Sequence, residues 1–160
     1  MADADTLLHP LLSGGFECVI VGEFAAAAYG VAPLTMNLEL CCPFTSENLR
    51  RLAGALGTLH PCHRRDPQRT PFVLTDDLLA RPQNLYLQTD LGQLDCLSEV
   101  KGVGDYAEVR RQSIEVELPA GPCRILSLEA LIRAKEAMGG PKDKLTLLQL
   151  KAIQERTQTH

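Results

Sequence analysis

Hydrophobic and polar positions alternate most sharply near the start of the chain. Cys18 to Val21 is a short apolar, β-rich run that ends at Gly22. Glu23 to Tyr29 then holds four consecutive alanines, the best helix formers, and Gly30 supplies a stop. After Pro33 the pattern switches to a period of two. Leu34, Met36, Leu38 and Leu40 point one way, and Thr35, Asn37, Glu39 and Cys41 the other. The pattern predicts strand, glycine turn, short helix and strand.

Further along, Thr6 to Leu12 reads as a short helix that Pro10 limits. Thr45 or Ser46 caps a helix with the stripe Leu49, Leu52, Ala53 and Leu56, ended by Gly57. Thr58 to Pro71 is irregular, and Phe72 to Leu74 is a candidate strand. Asp76 and Asp77 suit a turn or helix start. Leu85–Thr89 and Gln93–Leu97 form a hairpin across Asp90-Leu91-Gly92. Tyr106–Arg111 is a short helix, and Ser113–Leu118 is a strand with Ile114, Val116 and Leu118 inward. Cys123–Leu126 is another strand. Ser127 caps a helix edged by Leu128, Leu131 and Ile132, which Gly139-Gly140 ends. Pro141 opens a last helix whose buried face is read as Leu145, Leu148, Ala152 and Ile153.

The opening unit has a chemical use. Alternate residues on a strand lie roughly 6.5–7 Å apart on one face, so acidic groups there can converge on a divalent cation. A helix starting after a glycine turn offers unpaired N–H groups to phosphate. Asp95 adds an acid among Leu94, Cys96 and Leu97, where desolvation calls for a partner. A metal or a neighbouring Arg or Lys would each serve.

These residues resemble the minimal nucleotidyltransferases of the DNA polymerase β-like superfamily, in particular a small bacterial group similar to abortive-infection toxins. Val21-Gly22-Glu23-Phe24-Ala25 matches the first motif and Thr35-Met36-Asn37-Leu38-Glu39-Leu40 the Asp-x-Asp strand. Leu94-Asp95-Cys96-Leu97 matches the third-carboxylate strand, and Leu126 to Lys135 with Pro141-Lys142-Asp143 the C-terminal helical signature. The likeness spans about residues 15–150. It implies an α+β fold, a mixed β-sheet flanked by helices with a helical C-terminal section. It also implies a single domain over 1–160, with a core at about 15–126 and C-terminal helices at about 127–156.

The resemblance further implies Mg2+ (or Mn2+) on Asn37, Glu39 and Asp95 as the catalytic and metal-binding set. Gly22, Glu23 and Lys135 would meet the nucleotide. The reaction would move a nucleoside monophosphate from ATP or another NTP to an acceptor of unknown kind, with pyrophosphate leaving. Three positions depart from the pattern: Glu23 replaces a glycine, Asn37 an aspartate, and Glu39 the second aspartate. Asn37 removes a full charge, and Glu23 can satisfy the helix N–H groups itself and repel a triphosphate. Lys135 is the phosphate candidate, with Glu23 as its alternative ion-pair partner. Lys142 and Asp143 are weaker candidates, since the helix dipole alone explains an acid there.

Three readings stay open: an impaired nucleotidyltransferase, a catalytically inactive binding or regulatory module with a toxin–antitoxin-like protein partner, and a substrate-binding domain unrelated to nucleotides.

Composition narrows the surroundings. Net charge is −4 and aromatics make up 4%, with no Trp, which argues against a broad nucleic-acid surface or a base-stacking platform. The N-terminus is acidic, and no apolar run approaches the ~20 residues of a membrane span, so a cytoplasmic chain without membrane contact is expected. Six scattered cysteines without Cys-x-x-Cys read as reduced apolar side chains. His60, Cys62 and His63 match no closed zinc spacing, and Arg64, Arg65 and Arg69 read as a solvated loop that could also touch phosphate or an acidic partner.

Overall fold

A computed structural model of the chain describes residues 4–32 and 37–158. The first half of the alternating run, Leu34 to Met36, lies outside the described residues.

The elements in order are α1 (Ala4–Ser13), β1 (Val19–Val21), α2 (Gly22–Ala28), β2 (Leu38–Cys41), α3 (Ser46–Leu56), β3 (Cys62–His63), α4 (Asp76–Ala80), β4 (Leu85–Thr89) and β5 (Gly92–Leu97). There follow β6 (Glu99–Val100), β7 (Gly104–Asp105), α5 (Tyr106–Arg111), β8 (Ser113–Leu118), β9 (Gly121–Leu126), α6 (Leu128–Met138) and α7 (Pro141–Gln158). Seven strands form one mixed sheet in the order β3-β4-β5-β2-β1-β9-β8, while β6 and β7 make a separate ribbon. The pairs β2–β5 and β1–β9 are parallel and the rest antiparallel. This is the expected α+β architecture, with α6 and α7 as the helical C-terminal section.

The period-two pattern decides which sheet face is dry. On β4 and β5, Leu85, Leu87, Leu94 and Cys96 are buried, while Tyr86, Gln88, Gln93, Asp95 and Leu97 are half-buried. The buried side chains join one hydrophobic cluster with Leu7, Leu8 and Leu11 of α1 and Leu49, Leu52 and Leu56 of α3. The opposite face stays partly open, and the polar groups of the site stand on it.

Local signals set most boundaries. Thr45 and Ser127 accept hydrogen bonds from Asn48 and Ala130 as helix caps, and Gly139 ends α6 in the left-handed region at φ 68°. Asn48, buried in the first turn of α3, ties three segments together. It accepts from the Glu17 N–H at 2.8 Å and donates to the carbonyls of Glu17 and Pro43 at 3.0 Å each, so α3 fixes the entry to β1 and the exit from β2.

Four expectations need correction. α1 runs through Pro10 to Ser13, because burying Leu7, Leu8 and Leu11 outweighs one lost backbone bond. Phe72 to Leu74 is no strand; Pro71 bridges Cys62 and Phe72 is buried from an irregular segment. β8 is a sheet edge, so Ile114 is 43% exposed instead of inward. On α7 the buried positions are Thr146 and Leu150, with Ile153 half-buried, while Leu145, Leu148 and Ala152 are exposed. The contact stripe lies one position along from the most apolar one, with the helix held at Asp143 by a bond to α6.

Candidate active site

Cross-strand register builds the site. Glu39 on β2 is paired with Asp95 on β5, Asp95 with Tyr86 on β4, and Glu39 with Val21 on β1. Partners in register project from the same face, so Tyr86, Asp95, Glu39 and Val21 form one row across four strands. The structure thus brings Glu39 and Asp95 side by side, although the first stands on a strand whose approach runs through residue 37 and the second on a distant hairpin. Asn37 lies half-buried just ahead of β2.

Glu39 is pressed against the turn into α2. Gly22 has φ +71°, and a Cβ there would lie 2.8 Å from the Glu39 carboxyl carbon. The positive φ favours glycine at this position, and a side chain there would also push the end of the Glu39 side chain aside. Burial, then the neighbouring Asp95, push the Glu39 carboxyl above its usual range; Glu23 adds to the rise, and Lys135 and Lys142 oppose it.

Glu23 enters α2 as a buried side chain, 2% exposed, in the position where an anion-binding helix start would leave room. Its Oε1 lies 3.6 Å from Lys135 Nζ and 3.9 Å from Lys142 Nζ, and neither carboxylate oxygen has a hydrogen bond among the described residues. The ion pair with Glu23, the alternative to a phosphate role for Lys135, is therefore present. Lys135 Nζ also donates to Asp143 Oδ1 at 3.2 Å, and Asp143 Oδ2 accepts from the Gly140 N–H at 3.3 Å. Two acids and two ammonium groups so balance one another beside the row.

Asp95 is likewise engaged. Arg64 donates to its Oδ1 at 2.6 Å and to the Leu87 carbonyl at 2.9 Å, with both charged side chains mostly buried. Of the two partners that Asp95 could have had, the structure supplies the guanidinium. Arg64, expected in a solvated loop, follows β3 directly, and its N–H donates to the Tyr86 carbonyl at 2.8 Å. The next residue, Arg65, stacks its guanidinium 3.4 Å over the Tyr86 ring. Reading the chain alone missed this because Cys62 and His63 join the sheet through only a two-residue strand. The available signal was an acid in a β-run together with an Arg-rich segment. Asp143 was underrated in the same way: Gly139-Gly140 reverses the chain, which sets the first turn of α7 against the last of α6.

The donor set bears on a metal. Among the described residues no three His, Cys, Asp or Glu side chains gather as a metal-binding group. Asp95 is already paired with Arg64, and Asn37 brings no charge. The residues present do not fit the charge-rich clamp that divalent-metal phosphoryl chemistry uses. The His60-Cys62-His63 cluster forms no metal group either: His60 Nδ1 bonds Asp90 Oδ2 at 2.6 Å. All six cysteines are free, and burial pushes the Cys41 thiol up to about 12, which makes it unreactive. Among the described residues no helix is long and apolar enough to cross a membrane.

Comparison with solved structures defines the fold class: this is a nucleotidyltransferase fold. An antigenic nucleotidyltransferase-like protein from Paracoccidioides brasiliensis matches with a TM-score of 0.57 at 14% identity, over 94% of this chain and 75% of that one. ANT(2'')-Ia in complex with adenylyl-2''-tobramycin matches with a TM-score of 0.51 at 16% identity, over 92% of this chain and 97% of that one. The solution structure of the same antibiotic-resistance factor gives 0.51 at 16% identity, over 98% and 97%. No family model and no curated protein matches the sequence.

Proposed function

We propose that this chain is a catalytically inactive member of the nucleotidyltransferase fold, whose former transfer cleft serves as a binding or regulatory module. The observation that carries this reading is Glu23, a buried carboxylate at the start of α2 held between Lys135 and Lys142. A triphosphate approaching that helix would meet a fixed negative charge, and the ammonium groups suited to greet it are already neutralised. Arg64 does the same to Asp95. Transfer from ATP through Asn37, Glu39 and Asp95 with Mg2+ or Mn2+ is the competing reading. It asks one unpaired carboxylate to do what a set of acids must do, namely neutralise charge on attacking and leaving oxygens. As a module of this kind the protein acts through a ligand or protein partner instead of turnover.

Calorimetry with Mg2+ or Mn2+ and each NTP, alongside an assay for release of pyrophosphate, tests this. The native chain is expected to show no micromolar nucleotide affinity and no transfer. Glu23→Gly with Asn37→Asp removes the acid from the helix start, releases Lys142 and leaves Lys135 with Asp143 alone, and restores an acid at 37, so that variant should gain metal-dependent nucleotide binding. Micromolar affinity with turnover in the native chain overturns the proposal. No gain in the double variant means that the nucleotide site was never at this place.

A further inference from the structure

The carboxylates nearest the row of paired strands have different partners. Glu23 and Asp143 face ammonium groups and Asp95 faces a guanidinium. Glu39 has neither an ion pair nor a hydrogen bond with a described residue. It borders a cavity of about 240 Å³ between β1, β5, β9 and α6, walled mainly by Leu97, Val100, Leu126, Leu131, Ala134 and Met138. The other charged groups on that boundary are Glu99 and Lys101, both exposed and of opposite sign, and Lys135, already taken by Glu23 and Asp143.

A partly buried carboxylate against an apolar wall is unfavourable without a partner. At about 240 Å³ the cavity is of a size for a small ligand body. Anionic ligands meet the Glu39 charge directly. We propose that this cavity binds a small organic monocation, an ammonium group on a single-ring or short aliphatic apolar body, with the ammonium on the Glu39 carboxylate. The inference rests on the non-catalytic reading of the cleft and names the ligand class for it. The ligand supplies the charge partner that no described residue gives Glu39 at ion-pair distance, and its body covers the leucine-rich wall.

Benzylamine and its neutral counterpart benzyl alcohol are the probes, titrated into the full chain at neutral pH with two-dimensional NMR readout. Benzylamine is expected to shift the resonances of Leu97, Val100, Leu131, Ala134 and Met138, with benzyl alcohol about tenfold or more weaker. In Glu39→Gln, which keeps the side-chain shape, the preference for the amine should vanish while the fold is unchanged. Equal affinity of the two probes, retained preference in Glu39→Gln, shifts at other residues, or no binding at millimolar concentration each overturn the inference. Any of these together with absent Mg–ATP binding leaves the non-catalytic reading in place. Nucleotide transfer by the native chain overturns that reading whatever the amine does.

Discussion

Replacing Lys135 by methionine isolates the energetics of the buried charge cluster. The Lys135 and Glu23 side chains are 6% and 3% exposed, so the pair is screened little by solvent. Methionine preserves the apolar stem but deletes the ammonium. Glu23 then keeps only Lys142 at 3.9 Å, a side chain 47% exposed, and Asp143 keeps the Gly140 N–H. Breaking a buried pair from one side costs about 3–5 kcal/mol, because the remaining charge stays desolvated. That is a large part of the ~5–15 kcal/mol by which ordinary domains are stable. Glu23→Gln should cost much less, since Lys135 retains Asp143 at 3.2 Å. The double variant should recover part of the Lys135→Met loss, giving a coupling of about 2 kcal/mol. Urea denaturation of the wild type, both single variants and the double variant measures each value by linear extrapolation. A Lys135→Met loss under about 1 kcal/mol, the scale of an exposed pair, or strictly additive effects would refute the cluster as a buried set of mutually dependent charges.

Two further expectations concern the same face and its support. Burial and Asp95 raise the Glu39 carboxyl, so the folded protein holds its proton more tightly than the unfolded chain. Stability therefore falls as pH climbs from the usual carboxylate value through the raised one. Glu39→Gln should be more stable than wild type at pH 7, with the gap closing on acidification; denaturation curves across pH in which the gap widens in acid contradict this. Asn48→Ala strands the Glu17 N–H and the carbonyls of Glu17 and Pro43, and should lower stability by about 2 kcal/mol in the same assay.

Much of this architecture is written in short-range signals. The glycine turn, the alanine helix, the hairpin at Asp90-Leu91 and the caps at Thr45 and Ser127 each follow from local chemistry, and each is found where the chain announces it. The meeting of Glu39 with Asp95 and the Lys135–Glu23 pair were also readable, because a family likeness supplied the long-range pairing that periodicity lacks. What stayed hidden depended on contacts with no local signature. Arg64 reaches Asp95 only because a two-residue strand joins the sheet edge, and such a strand is too short to register as a pattern. The rotation of α7 follows from a bond across the Gly139-Gly140 reversal, which lets Thr146 take a contact that Leu145 or Leu148 would fill by hydrophobicity alone.

The parallel seam between β1 and β9, registered through Ile20 and Ile125, has a consequence for biosynthesis. During synthesis, Val19–Val21 can find β2 early but must wait for most of the chain before its other flank is covered. At ribosomal speeds of about 5–20 residues per second that interval lasts several seconds, with a wholly apolar segment offering bare amides to any passing strand. The nascent polypeptide is thus most vulnerable to mispairing while the residues between β2 and β9 are being made, and it is the arrival of β9, far from β1, that ends the exposure.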